Sequence, residues 1–152
     1  RLCVTGKLKS DTYSKSVREV VANEPAILLT GYVDEATKLD LYLNALALLS
    51  PSLVEGFGIP VLDAACLGLP ALVSSCDAHR EIHDLFDFSD YVLPISILET
   101  RDWAAAMQAT ASLHNHMADE PEERMRRLRR YIRISTQIER RFEEQIAQLV
   151  LA

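Results

Sequence analysis

Three features of the sequence predict a doubly wound, Rossmann-like α/β domain with a mainly parallel sheet of about five strands. Short apolar runs at 2–5, 26–30, 46–49, 71–73 and 90–94 alternate with amphipathic segments of helical period. Gly or Pro marks many of the switches between them, as at Gly6, Gly31, Pro51, Gly68 and Pro70. Residues 45–76, ALALLSPSLVEGFGIPVLDAACLGLPALVSSC, read as strand, loop, helix and strand, a βαβ crossover in one stretch.

Taken in order, Leu2-Cys3-Val4-Thr5 is a short strand that leaves through Gly6-Lys7. Residues 13–23 form a modest helix with Val17, Val20 and Val21 on one face. The strand at 26–30 exits through Gly31-Tyr32-Val33, and Asp34 is placed to cap the helix that follows, whose stripe is Ala36, Leu39, Tyr42 and Leu43. After the βαβ unit, CDAHREIHD at 76–84 suits a short surface helix, and a strand at 90–94 closes the alternation. Residues 98–113 carry Trp103, Ala106, Met107, Thr110 and Leu113 at helical spacing, which makes the tryptophan a packing residue. From Pro121 the chain reads as one long Arg-rich helix. Residues 1–97 are thus expected to form the core and 98–152 a helical segment.

The βαβ unit is where chemistry concentrates. Pro60 suits the first turn of its helix, and the loop Glu55-Gly56-Phe57-Gly58 delivers the chain there. Amide groups of Gly58, Ile59, Val61 and Leu62 would lie unpaired at the positive end of that helix, which is a site for an anion. Glycines at 56 and 58 let a phosphate approach the main chain, and Glu55 and Asp63 offer acceptors for hydroxyls. Phosphate with hydroxyls points to a nucleotide sugar. Each residue also has a plainer use: the Gly-x-Gly as a tight turn, Glu55 as a solvated loop acid, Asp63 as an acid favoured by the helix dipole.

The segment PSLVEGFGIPVLDAACLGLPALVSS resembles the donor-binding segment of the retaining glycosyltransferases of family four (glycosyl transferases group 1), two-domain GT-B enzymes whose C-terminal domain binds a nucleotide-activated sugar. The resemblance extends to LLTGYVDEATKLDLYLNALALLSPS and covers roughly residues 2–95. The family's pattern is a glutamate, seven residues and a second glutamate; here Glu55 is followed by seven residues and Asp63. The resemblance implies Glu55 beside the transferred sugar, as the catalytic residue, and the backbone of Gly56, Phe57, Gly58 and Ile59 on the diphosphate and sugar. It implies Asp63 toward the ribose, with one methylene less reach than a glutamate, and Tyr32 and Val33 near the base. The substrate would be a nucleoside diphosphate sugar, with no separate cofactor and no metal, and the product a glycan or polysaccharide bond made with retention.

The family's first strand, followed by an Arg and a Lys that grip the diphosphate, has no counterpart here. The strand at 2–5 is expected to close against that at 46–49, giving an order 2-1-3-4-5, or another chain fills the gap; Lys7 and Lys9 are candidates to replace the basic pair. With Arg1 at its start, the chain reads as part of a longer polypeptide whose N-terminal domain would hold the acceptor, so that these residues bind donor without turning it over.

Composition narrows the rest. Residues 1–119 carry net charge −8, which does not suit nucleic acid, and residues 120–152 carry +2, all the basic side chains being Arg. Cys3, Cys66 and Cys76 have no metal-ligand or redox spacing and accord with a cytoplasmic compartment. His79 and His83 lie four apart, as two metal ligands on a helix would, without a third; a short surface helix is the plainer reading, with Glu81 matching a family glutamate near the donor cleft. In the last helix, Glu120, Glu122 and Glu123 stand four residues before Arg124, Arg126 and Arg127. Met125, Leu128, Ile132, Ile138, Phe142, Ile146 and Leu149 form a stripe that needs a partner surface. That partner would be the acceptor domain or a second copy, and the basic face also suits peripheral contact with an anionic membrane. Other activities on this architecture stay open: a sugar-nucleotide epimerase, a phosphorylase, or a non-catalytic interaction module.

Overall fold

A computed structural model describes residues 1–85, 87–96, 99–114 and 121–151, arranged in two compact units, 1–40 and 41–152. All five expected strands form, and every pairing is parallel. They pair as two sheets, however, β1-β2 and β3-β4-β5. Of the two arrangements expected, the order 2-1-3-4-5 is not the one seen. The third strand is only three residues long, half-buried, and bonded on one side to the fourth.

In the first unit, β1 (Leu2–Thr5) and β2 (Ile27–Gly31) flank helix α1 (Thr12–Ala22). The register runs Leu2 to Ile27 and Val4 to Leu29, then skips Thr30 so that Thr5 faces Gly31. This bulge at the strand's carboxyl end coincides with a left-handed Gly31, φ +70°, whose carbonyl accepts from the Gly6 amide at 2.8 Å. Helix α1 begins where the Asp11 carboxylate accepts from the Ser14 amide at 2.7 Å, a hydrogen bond that holds its pKa below the ordinary value. Its inward face is Ser14, Val17 and Val21; Val20, expected there, is exposed. Seven residues from Ser14 to Val21 are two turns, and Val20 falls beside that line.

Helix α2 (Glu35–Asn44) runs across the division between the units. Asp34 caps it as expected, accepting from the Thr37 amide at 2.8 Å, and its carboxyl is held low by hydrogen bonding from the Thr37 side chain first and then from that amide.

The second unit is built on β3 (Leu48–Ser50), β4 (Ala71–Ser74) and β5 (Val92–Ile95). Strand β4 is central and buried along its whole length, which is why it reads as a continuous apolar run. Pro94, with no N–H to give, sits on the edge strand β5. Between β3 and β4 lies α3 (Ile59–Leu67), with Pro60 in its first turn. Its end is a Schellman motif: Gly68 at φ +72° donates to the Ala65 carbonyl, and Leu69 to that of Ala64. Val61, Ala64, Ala65 and Cys66 of α3 pack with Val73, Ile82 and Val92, the small alanines bringing helix and sheet close. Helix α4 (Asp77–Leu85) joins β4 to β5.

Two more helices follow. In α5 (Thr100–His114), Trp103, Ala106 and Thr110 face inward and Met107 is exposed. The Trp103 indole donates to the Ser96 carbonyl at 3.0 Å, in keeping with a packing role. Leu98, the expected start of this helix, lies outside the described residues. Helix α6 (Pro121–Leu151) spans 31 residues, about 46 Å at the α-helical rise. It packs on α3, and Tyr131, Ile134 and Ile138 reach the core cluster. Met125, Ile132, Phe142 and Ile146 of the expected stripe are exposed instead. Seven-residue steps such as 125 to 132 drift around a straight α-helix, so one stripe cannot stay against one partner over this length. The expected Glu122 to Arg126 pair is replaced: Arg126 grips Glu123 with two bonds of 2.7 and 2.9 Å, and Arg124 donates to Asn44 Oδ1 at 2.6 Å. Glu120 lies outside the described residues.

Candidate functional site

The carboxyl end of β3 opens into the loop from Pro51 to Gly58, which carries Glu55, Gly56 and Phe57 to the start of α3. Gly58 is the N-cap at φ +82°, a left-handed conformation that glycine adopts at little cost. No side chain caps the helix there. The Val61 and Leu62 amides both turn back to the Gly58 carbonyl, at 2.9 and 3.1 Å. The expected set of four open amides is thereby narrowed to those of Gly58 and Ile59. A helix N-terminus that no side chain caps still favours an anion.

The two glycines differ in surroundings. Gly56 has nothing within 4 Å of where a Cβ would stand, so the chain there is open to an approaching group. A Cβ on Gly58 would lie 3.2 Å from Ile82 Cδ1 and 3.3 Å from His79 Cδ2. Gly58 is thus closed from below, and those two side chains of α4 form the floor of the loop.

Glu55 is exposed, and its Oε1 accepts from the Ser52 hydroxyl at 2.5 Å. The Ser52 carbonyl in turn accepts from the Ser74 hydroxyl at the end of β4. His79 is 0% exposed; its Nδ1 lies 2.9 Å from the Ser74 carbonyl, and its Nε2 lies 3.3 Å from Ser50 Oγ. A carbonyl can only accept, so Nδ1 carries the proton and donates to Ser74; Nε2 is then free to accept from Ser50. Phe57, half-buried, sets its ring edgewise to Phe142 of α6, with centroids 6.4 Å apart.

Glu55, Gly56, Phe57, Gly58 and Ile59 are therefore gathered in one loop and helix start. Asp63 stands on α3 and binds α6: the Tyr131 hydroxyl donates to its Oδ1 at 3.2 Å. Tyr32 and Val33 belong to the first unit, just past the carboxyl end of β2, with Tyr32 82% exposed. Lys7 and Lys9 are exposed in the same unit, and Glu81 is exposed on α4. A cleft of the second unit lies at the other end of α3, between Gly68, Tyr91 and the Arg face of α6, away from the predicted site.

Sequence reasoning missed His79. The short helix expected at 76–84 is present, but its first histidine is buried under Gly58, while His83 faces Asp84 Oδ1 at 2.6 Å. The signal was Ala78, His79 and Ile82 on one helix face, an inward-facing set holding one polar member. Among the described residues no group of three side chains is placed to hold a metal ion. Nor, among them, is any helix long and apolar enough to cross a membrane.

Comparison with known proteins gives one result that bears on this loop. The family described as glycosyl transferases group 1 matches residues 1–128, which takes in the whole of both sheets and the first turns of α6. No curated protein matches the chain. With the greater part of its length matched, α/β architecture and parallel sheets included, the chain belongs to the glycosyl transferases group 1 and is a glycosyltransferase domain.

Proposed function

We propose that this chain binds the donor of a retaining glycosyltransferase, a nucleoside diphosphate sugar whose sugar passes to an acceptor hydroxyl. The observation that carries the reading is the start of α3, where Gly58 caps the helix at φ +82° with no side chain bonded to its first amides, three residues from Glu55. Departure of the nucleoside diphosphate leaves negative charge on phosphate and positive charge on the sugar ring. The amides and the helix terminus stabilise the first, and Glu55, held by Ser52, the second, because dipoles already fixed in place need no reorganisation when charge develops. Gly56 and Phe57 lie along the same backbone. In this reading the base goes to Tyr32 and Val33, and Asp63 to the ribose. The acceptor and any base acting on it belong to a further domain, so these 152 residues alone bind without turnover. No metal is needed where amide dipoles carry the phosphate charge.

Location and further partners follow the same chemistry. Three free thiols accord with a cytoplasmic setting, and the Arg-rich face of α6 with peripheral contact at an anionic membrane. The exposed Met125, Ile132 and Ile146 offer α6 to an acceptor domain or a second copy. A specific observation favours one other reading: Asp63, the second acid of the family pattern, is bonded to Tyr131, as it would be in a module that kept the fold and lost the ribose contact.

Ligand-observed NMR with millimolar UDP-, GDP- and ADP-sugars tests the proposal. Binding of one of them, abolished by Gly58→Val, is expected. Silence from the chain and from any longer protein that contains it would favour the non-catalytic module.

A further inference from the structure

His79 has no place in the proposed chemistry, yet it is the one fully buried ionisable side chain beneath the loop that does. Its surroundings are specific. One ring nitrogen is spent on the Ser74 carbonyl at 2.9 Å, the other faces Ser50 Oγ at 3.3 Å, and its Cδ2 would meet any Cβ added to Gly58. Ser50 ends β3 and opens the loop; Ser74 ends β4 and donates to the Ser52 carbonyl. Ser52 then donates to Glu55. The loop is therefore fastened at its first residue through Ser50, at its third through Ser74, and braced from below at its last.

We propose that His79 is a positioning residue of the donor site. It touches no substrate; it fixes the loop of residues 50–58, and with it the Glu55 carboxylate and the Gly58 amide, through Ser50 and Ser74. This rests on the donor-binding reading above. The physical reason is that a surface loop with an exposed tip, Leu53 75% and Val54 87% exposed, has little packing of its own to hold a carboxylate in place. A buried ring with both nitrogens committed supplies a fixed point, as the partners of a directly acting group commonly do. It also accounts for glycine at 58, where a left-handed backbone and the His79 ring together exclude a side chain.

The test uses the full protein and whichever of UDP-glucose, GDP-mannose or ADP-glucose it consumes, read as release of the nucleoside diphosphate. His79→Leu keeps the volume and removes both hydrogen bonds. It is expected to lower kcat by about 100-fold, the scale of a roughly 1 Å misplacement, with KM for the sugar nucleotide unchanged. His79→Asn, whose amide nitrogen can reach the Ser74 carbonyl from the place of Nδ1, restores most of the rate. Should His79→Leu not fold, Ser74→Ala removes the hydroxyl that donates to the Ser52 carbonyl and lies 3.4 Å from His79 Nδ1, and gives the same loss of kcat at constant KM. Long-range 15N–1H spectra are expected to show a proton on His79 Nδ1. Wild-type kcat in both His79→Leu and Ser74→Ala, or an Nε2-protonated ring, overturns the inference. If Glu55→Ala abolishes release while those two variants do not alter it, only the role of His79 fails. If no sugar nucleotide is consumed and none binds, the donor-binding reading fails and this inference with it.

Discussion

The Tyr131 hydroxyl donates to Asp63 Oδ1 across 3.2 Å, so the acid eight residues after Glu55 ties α3 to α6. The contact is partly buried and joins two helices whose packing also involves Ile134 and Ile138. Tyr131→Phe keeps the ring and removes the hydroxyl. A hydrogen bond of this kind contributes about 1 kcal/mol, so a fall of that size in urea-unfolding free energy is expected. Unchanged stability would show that the bond holds nothing.

Gly56 and Gly58 stand two residues apart and predict opposite results. Gly58→Ala meets a φ of +82° and the His79 and Ile82 side chains, so it is expected to lose at least the roughly 1–2 kcal/mol of the left-handed backbone. Gly56→Ala meets open space at an ordinary φ and should change stability by less than about 0.5 kcal/mol. On the proposed donor site it should still weaken sugar-nucleotide binding, because its methyl would fill open space that the site leaves to the ligand. Thermal melts paired with ligand titration separate the two. Equal affinity for Gly56→Ala and wild type would remove Gly56 from the site.

Much of this was legible in the sequence because the signals are local. The unbroken apolar run at Ala71–Ser74 is what a central parallel strand requires, and Pro60 and Gly68 mark α3 through fixed φ and a left-handed cap. The loop itself came from a pattern of glycines and acids within nine residues. What stayed hidden depends on distant parts of the chain. His79 sits among charged neighbours in Asp77-Ala78-His79-Arg80-Glu81, and its burial follows only when the ends of β3 and β4 meet above it. Likewise the stripe of α6 was visible, but whether Tyr131 or Ile132 faces α3 depends on helical phase, which the sequence alone leaves open.

The three thiols should react in a set order. Cys3 is exposed, Cys76 intermediate and Cys66 2% exposed. Burial, then the nearby Asp63 charge, push the Cys66 thiol up to about 11, with Arg130 opposing. Iodoacetamide at pH 8 should modify Cys3 first and Cys66 only on unfolding. Because the folded pKa lies above the unfolded one, Cys66 favours the fold below about pH 9, and that contribution is lost as pH rises toward 11. Cys66→Ala should flatten this alkaline limb; an unchanged limb would assign it to other groups.

Glu123 links two arginines of unlike surroundings. It binds exposed Arg126 through two bonds and buried Arg127 through Nε at 3.4 Å, while Arg127 Nη1 is buried with no hydrogen-bond partner among the described residues. The hydrogen bond from Arg126 does most to hold its carboxyl below the usual range; burial, next in size, opposes it, and the Arg126 charge and the hydrogen bond and charge of Arg127 add to the lowering. A depressed pKa stabilises the fold above the unfolded value and is lost as pH falls through the folded one, so this contact weakens in acid. Glu123→Gln leaves a buried guanidinium without its counter-charge, whereas Arg127→Met removes a charge that is only partly satisfied. Glu123→Gln is therefore expected to unfold at lower urea than Arg127→Met, with the gap closing in acid as the Glu123 carboxyl, held below its ordinary range, neutralises. The reverse order would mean that Arg127 is held by more than Glu123, and that its packing along α3 outweighs the unpaired nitrogen.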